Sequence, residues 1–127
     1  MFDPEWNTNG LLEKAAQHIQ KWADGFGVKG LTTEIIKFEG LSPLLFCEVK
    51  GDLEETVLFY GHYDKQPPMT GWLEGLAPFE PVIKNNKLYG RGGADDGYAT
   101  YSTIMAVKAL QEQGIPVPRC VMITEGD

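Results

Sequence analysis

Two segments of the chain repeat hydrophobic residues at steps of three and four, the spacing of an amphipathic helix. The first covers residues 11–26 and is predicted to end near Gly25 or Gly27. The second covers residues 98–113 and is predicted to end at Gly114. Residues of types that commonly cap helices precede the first segment, and they are Asn7, Thr8 and Asn9.

Runs of apolar and β-branched residues between and after these helices have the length of strands. The run at residues 56–60 is nearly all apolar, which predicts a strand covered on both faces, and the run at 120–124 is predicted to be buried as well. Between residues 62 and 81 repeated proline and glycine predict a long irregular loop. The remaining predicted strands are residues 33–38, Leu44–Val49 and a hairpin over 82–89.

The order of these elements predicts an α/β fold. A strand at 56–60, a helix at 98–113 and a strand at 120–124 are the parts of a right-handed parallel crossover unit. In open sheets of this kind, ligands bind beyond the carboxyl ends of the strands. Functional side chains are therefore expected in the loops that follow the strands.

Composition and charge narrow the functional classes. The 127 residues include 43% hydrophobic and 23% charged residues, which is typical of a globular domain. The net charge of −7 disfavours binding to nucleic acid or to an anionic membrane. The start of the chain has no basic, apolar signal segment, no run approaches the length of a membrane span, and two cysteines cannot form a disulfide framework. We therefore expect a cytoplasmic protein.

Acidic residues and a histidine follow the predicted strands and open the second helix. Carboxylates that converge in one crevice repel one another, and a bound cation is the usual remedy. Imidazole nitrogen and carboxylate oxygen are ligands that zinc accepts. The residues that combine into this predicted metal site are His62, Asp64, Asp95, Asp96, Glu125 and Asp127.

Each part of this pattern also has a plain structural interpretation. His62 and Asp64 could form an ion pair of neighbours, and Asp95-Asp96 could cap the second helix. Residues 90–97 are rich in glycine, but the spacing departs from a phosphate loop, and two carboxylates at a helix start would repel a phosphate. A nucleotide site is therefore disfavoured.

Other catalytic candidates have little support in the sequence. Ser42 and Ser102 lack a neighbouring histidine or a nucleophile motif. Cys47 and Cys120 lie in apolar strands and are expected to be buried and inert. Arg91 could hold a substrate carboxylate or form a structural ion pair, and the aromatic residues of the long loop are expected to pack it. Those aromatic residues are Trp72 and Phe79.

Residues 44–127 carry a resemblance to a known family, whereas residues 1–40 carry little of it. The segments Leu-Phe-Tyr-Gly-His-Tyr-Asp-Lys-Gln-Pro at 58–67 and Leu-Tyr-Gly-Arg-Gly-Gly-Ala-Asp-Asp at 88–96, with Trp72 and Pro78-Phe79 between them, are specific to it. The chain resembles the N-terminal half of the catalytic domain of the dinuclear zinc metallopeptidases. That family includes carnosine dipeptidase, aminoacylase, glutamate carboxypeptidase G, acetylornithine deacetylase and succinyl-diaminopimelate desuccinylase.

The resemblance implies a partial three-layer α/β/α domain with a mostly parallel mixed sheet. It implies that His62 ligates one metal ion, that Asp64 is the catalytic carboxylate orienting His62, and that Asp95 bridges two ions. The ions would be zinc, with manganese or cobalt as alternatives. The Asp95-Asp96 peptide bond is expected to be cis, as is frequent in this family. One departure is visible, because the family usually has lysine and then glycine after the paired acids, whereas Gly97-Tyr98 follows here.

The resemblance also implies a reaction. Two metal ions would polarise an amide carbonyl and activate water, and a glutamate would carry the proton to the leaving amine. The family motif for that glutamate reads Glu-Gly-x-Glu-Glu, and Glu125-Gly126-Asp127 fills its first three positions. We therefore expect residues 1–127 to be an inactive N-terminal fragment of the catalytic domain, without the rest of that domain and without the dimerisation or lid domain.

The expected substrate of the parent enzyme is a dipeptide or an N-acyl amino acid. Tyr63 and the Gln66-Pro67 step fit the dipeptidase branch of the family. The parent is expected to be a homodimer, and a fragment with unpaired strand edges and exposed apolar surface is expected to self-associate. The alternative is a non-catalytic acidic α/β module with weak metal binding or a role in assembly.

Overall fold

Two helices and six strands form the part of the chain that a computed structural model describes, residues 3–126. Both predicted helices and all predicted strand regions are present, with boundaries shifted by a few residues. No helix within this range is long and apolar enough to cross a membrane. In chain order the elements are α1 (Leu11–Gly25), β1 (Leu31–Ile36), β2 (Leu44–Val49), β3 (Thr56–His62), β4 (Val82–Lys84), β5 (Lys87–Tyr89), α2 (Ala99–Glu112) and β6 (Arg119–Glu125).

Four of the strands form one mixed sheet in the order β1-β2-β6-β3, and β4 and β5 form a separate hairpin. The predicted crossover unit is confirmed in its pairing, because β3 and β6 are parallel and α2 lies between them in sequence. The other two pairings in the sheet are antiparallel. The α/β class is thus confirmed, but the expected majority of parallel pairings is not found among the described strands.

The hydrophobic core lies between the sheet and the two helices. Leu45, Cys47 and Met122 point from the central strands into one cluster with Ile19 of α1 and Ile104 of α2. Trp22 of α1 packs against Tyr101 of α2 with ring centroids 4.6 Å apart and the rings tilted by 59°, so both helices cover the same face of the sheet. The described residues therefore form two layers, and the second helical layer of the expected three-layer domain is absent from this part of the chain.

The opposite face and the β3 edge are open. Leu58 and Tyr60 are 63% and 62% exposed, which contradicts the prediction that β3 is covered on both faces. The reason is topological, because β3 pairs only with β6 and neither helix lies over the face that carries these two side chains. A nearly continuous apolar run predicts burial on two sides, whereas only one side of β3 is covered here.

The start of α1 also differs from the expectation. The residue that caps the helix is Gly10, which adopts a left-handed conformation with φ of 68°. Asn9 precedes it, and its side-chain oxygen accepts the backbone N–H of Leu11 at 2.9 Å. The predicted capping residue therefore bonds to the helix start from one position outside the cap.

Burial of both cysteines in the core gives a test of this packing. Cys47 is fully buried, and burial together with the charge of Asp24 raises the pKa of its thiol to about 12. Burial also raises the pKa of Cys120. Since only the thiolate reacts, we expect neither cysteine to react with dithionitrobenzoate in the folded chain at mildly alkaline pH.

The control is the same measurement in denaturant, where both thiols should react at once. A thiol that reacts in the native chain as fast as in the unfolded chain would contradict the packing described here.

Candidate metal centre

His62 is the last residue of β3 and lies level with Glu125 at the end of β6. Because the two strands are parallel, both residues lie at the same end of the sheet, where the strands have their carboxyl ends, as the sequence predicted. Gly61 allows the start of α2 to approach, because a Cβ at this position would lie 2.4 Å from Cβ of Ala99. This close approach brings the residues that precede α2 against the end of β3.

The imidazole of His62 lies between two carboxylates. Its Nδ1 is 2.9 Å from Oδ1 of Asp64, and its Nε2 is 3.1 Å from Oδ1 of Asp95. Asp64 is the more buried partner, with 18% of its side chain exposed against 66% for Asp95. The three residues that the sequence singled out therefore form one contact group, with Asp64 behind the ring and Asp95 on its open side.

These contacts act on the pKa of the ring. Burial by itself lowers the pKa of His62, but the hydrogen bond and charge of Asp64, the charge of Asp96 and the hydrogen bond to Asp95 outweigh it. The pKa of His62 is therefore raised above 6.5. Raised basicity at Nε2 also makes the ring a stronger electron-pair donor when a cation replaces the proton.

Asp96 connects the two loops through backbone contacts. Its carboxylate accepts the N–H of His62 at 3.2 Å and the N–H of Tyr98 at 3.3 Å. Burial acts to raise the pKa of Asp96, but the N–H donors of Gly97, His62 and Tyr98 and the charge of His62 lower it overall. The acidic pair does not supply the cap residue of α2, which is Tyr98 and makes no capping hydrogen bond with its own side chain, but Asp96 bonds the N–H of Tyr98 from two positions before it.

The peptide bond between Asp95 and Asp96 is trans, as are all peptide bonds between residues 3 and 126. The expectation of a cis bond is therefore wrong for this structure. Trans is the favoured form of a peptide bond that does not precede proline. Both acids reach their partners on β3 and at the start of α2 with the bond in this form.

Lys65 is a member of the site that sequence reasoning missed. Its ammonium group donates to the carbonyl oxygens of Tyr63 at 2.9 Å, Asp64 at 3.4 Å and Asp96 at 2.5 Å. Burial of the ammonium lowers the pKa of Lys65, with the charges of the neighbouring acids acting in the opposite direction. The sequence offered one indirect signal for a second cation near the acids, which is that glycine and not lysine follows the paired acids at position 97. It did not indicate that Lys65 would be this cation.

Glu125 reaches the same edge of the sheet but uses its carboxylate locally. It accepts the hydroxyl of Tyr60, and its carbonyl accepts the N–H of Tyr63 at 2.8 Å. Asp127 lies outside the described residues. Within 3–126 no group of three or more His, Cys, Asp or Glu side chains is arranged to hold a metal ion. The predicted convergence of all the acids is thus only partly found, because Asp96 and Glu125 are bound to neighbours.

The long loop after β3 contributes packing around the site. The guanidinium of Arg91 lies 6.0 Å from the ring centre of Trp72, and both side chains donate to the carbonyl of Pro68. The packing role predicted for Trp72 is confirmed, and Arg91 is engaged with the loop. Phe79 is 64% exposed and differs from the expectation that it packs the loop.

The donors present fit part of a metal site. Nitrogen and oxygen ligands of a tetrahedral zinc ion lie about 3.3 Å apart, and the 3.1 Å between His62 and Asp95 is close to this value. The carboxylate of Asp64 on the opposite ring nitrogen is the usual partner of a ligating histidine. Two candidate ligands and one candidate supporting carboxylate thus lie in contact, and further ligands would have to come from elsewhere.

Comparison with known proteins identifies the class. Residues 58–125 match the family model described as Peptidase family M20/M25/M40. Since the match covers more than half of the chain, the chain belongs to this family of peptidases, and the resemblance found in the sequence is confirmed. The matched residues include the whole of the candidate site described above.

Individual relatives agree with this assignment. The β-Ala-His dipeptidase of Mus musculus is 38% identical over 82 residues, which are 61% of this chain and 16% of that protein. An uncharacterized metallohydrolase of Methanocaldococcus jannaschii is 27% identical over 120 residues, or 89% of this chain and 29% of that protein. The chain therefore spans less than a third of the length of these two relatives.

Solved structures share the fold. The M20 family metallo-carboxypeptidase Sso-CP2 from Sulfolobus solfataricus superposes with a TM-score of 0.74 at 23% identity, covering 91% of this chain and 26% of that one. Human carnosine dipeptidase 1 superposes with a TM-score of 0.61 at 24% identity, covering 91% of this chain and 34% of that one. At these identities the likeness concerns the fold alone.

The Asp64 contact can be tested through the titration of His62. We expect Asp64→Asn to lower the pKa of His62, because it removes the charge that raises that pKa most directly. The measurement is a pH titration of the imidazole resonances by NMR, with Asp24→Asn as the matched control because Asp24 instead accepts a hydrogen bond from Thr33.

The free energy of unfolding of the metal-free chain should depend on pH because the pKa of His62 is raised in the folded state. A raised pKa in the folded state means that protonated His62 stabilises the fold below pH 6.5 and that this contribution is lost as the pH rises through the folded pKa.

For the NMR titration, an unchanged pKa of His62 in Asp64→Asn would contradict the contact between the two side chains.

Proposed function

We propose that the protein to which this chain belongs is a dizinc amidohydrolase that cleaves a dipeptide or an N-acyl amino acid. The observation that carries the proposal is the position of His62 between Asp64 and Asp95, with one ring nitrogen facing each carboxylate. In this proposal His62 ligates one ion, Asp95 bridges two, and Asp64 orients His62. Manganese and cobalt are the alternative ions.

Membership of the peptidase family and the names of the relatives support this substrate class. Besides the β-Ala-His dipeptidase, a Cys-Gly metallodipeptidase of Schizosaccharomyces pombe is 34% identical over 91 residues. Both names describe hydrolysis of a short peptide. A succinyl-diaminopimelate desuccinylase among the relatives keeps N-acyl amino acids within the proposed class.

Each residue has a defined task in this proposal. Asp64 accepts a hydrogen bond from Nδ1 of His62, which leaves the lone pair of Nε2 directed at the side of Asp95. Asp96 holds the N–H groups of His62 and Tyr98 and so keeps the two loops together. Metal ions held by these residues would polarise the substrate carbonyl and lower the pKa of a bound water.

Activity requires groups beyond those described. In this proposal the described residues supply two direct ligands, His62 and Asp95, whereas a zinc ion normally has four. No group of three or more His, Cys, Asp or Glu that could hold a metal ion is found among residues 3–126. We propose that the remaining ligands and the proton-accepting glutamate belong to other parts of the parent enzyme, which acts as a homodimer in the cytoplasm. The 127-residue chain alone is then inactive and binds metal weakly.

The alternative is an acidic α/β module whose role is assembly. The specific observation in its favour is the open sheet face, where Leu58 and Tyr60 are more than half exposed. Under this alternative, substitution of Leu58 by a charged residue would abolish self-association without any change in metal binding.

A zinc titration tests the metal site. We expect Zn²⁺ to shift the imidazole resonances of His62 at millimolar concentration, His62→Ala to abolish site binding, and Asp64→Asn to weaken it about 10- to 100-fold because the ring loses its orienting partner. His18→Ala is the matched control, since His18 is the second histidine and lies exposed on α1.

The proposal is overturned if His62→Ala binds zinc as tightly as the unaltered chain. Turnover of a dipeptide by the 127-residue chain would overturn the claim that this part alone is inactive. In the full-length enzyme, we expect Asp95→Ala to abolish dipeptide hydrolysis.

A further inference from the structure

Lys65 lies at the centre of the two loops that carry the candidate ligands. Its ammonium group bonds the carbonyls of Tyr63 and Asp64 in the loop after β3 and the carbonyl of Asp96 in the loop before α2. Every hydrogen bond found for this ammonium within the described chain thus ends on a backbone carbonyl. The carboxylates of Asp64 and Asp95 keep their contacts with His62.

The glycine-rich loop is shaped around the Lys65 side chain. A Cβ at Gly92 would lie 2.5 Å from Cε of Lys65, and a Cβ at Gly97 would lie 2.7 Å from its Nζ. Both glycines also have positive φ angles, 80° and 132°, which other residues rarely adopt. Any side chain at these two positions would have to displace Lys65.

The ammonium of Lys65 also lies beside the acidic pair. Gly97 follows Asp95-Asp96 directly, and the ammonium of Lys65 lies against Gly97. A cation from the loop after β3 therefore occupies the space next to the acidic pair. Burial lowers the pKa of Lys65, and the charges of Asp64, Asp96 and Asp95 act against this lowering.

We propose that Lys65 is a positioning residue that fastens the loop bearing His62 and Asp64 to the loop bearing Asp95 and Asp96. Its three hydrogen bonds fix the separation of the two loops, so that His62 and Asp95 face each other before any cation binds. Its charge also offsets the repulsion among the surrounding carboxylates. The consequence for metal affinity rests on the proposed function, whereas the fastening of the loops does not.

Substitution of Lys65 tests the fastening directly. Lys65→Met keeps the aliphatic length and removes the ammonium, so amide hydrogen exchange at residues 90–97 should become about tenfold faster. Lys108→Met is the matched control, because Lys108 also donates to a backbone carbonyl, that of Gly27 at 2.9 Å, but far from the site. Lys108→Met should leave exchange at 90–97 unchanged.

Metal affinity distinguishes a lysine that positions the candidate ligands from a purely structural lysine, because only loss of the first should weaken zinc binding. In a Zn²⁺ titration followed through the His62 resonances, Lys65→Met should bind about tenfold more weakly than Lys108→Met, because the loops no longer hold His62 and Asp95 in place. Failure of the unaltered chain to bind zinc at His62 would overturn the proposed function and this consequence of the fastening. Unchanged exchange at 90–97 in Lys65→Met would overturn the fastening itself.

A measurement on the unaltered chain covers the case in which Lys65→Met does not fold. The amine protons of Lys65 should exchange with water about tenfold more slowly than those of Lys84, an exposed lysine of the β4–β5 hairpin. Slow exchange at Lys65 supports the three hydrogen bonds. Exchange as fast as at Lys84 would show that the ammonium is not held and would overturn the proposal.

Discussion

Repulsion among carboxylates is the constraint on which this site depends. Asp64, Asp95 and Asp96 all lie close to His62, and unpaired charges of one sign that are brought together repel one another. Two features of the chain offset this repulsion. Backbone N–H groups bind Asp96, and the imidazole of His62 and the ammonium of Lys65 lie among the acids. The site is thus assembled by contacts that exist before a metal ion arrives.

The local folding of the chain serves this arrangement. The parallel pairing of β3 with β6 brings His62 to the edge of the sheet, and Gly61 allows α2 to approach closely enough for Asp96 to bond the backbone of His62. The core residues beneath, such as Met122 and Ile104, hold β6 against α2. A rigid sheet and helix therefore support loops whose own backbone is irregular, which is the usual division between scaffold and site.

The sequence predicted the parts of this arrangement that depend on local pattern. Periodicity located α1 and α2, and the position of His62, Asp64 and Asp95 after a strand and before a helix indicated that they would meet. It could not predict the open face of β3, because an apolar run does not show how many of its sides the neighbouring elements cover. It also missed Lys65, whose role comes from contacts with Tyr63 on one loop and Asp96, 31 residues away, on another.

Lys65 and Gly97 belong to different loops and meet beside the acidic pair. Lys65 reaches this place from the loop that carries His62, and its ammonium bonds carbonyls of both loops. A Cβ at Gly92 or Gly97 would meet the end of the lysine side chain, and both glycines have positive φ angles that other residues rarely adopt. The end of a lysine side chain can move aside, whereas another residue could keep this backbone conformation only with strain. The backbone is therefore the first reason for glycine at these two positions, and the place taken by Lys65 is the second.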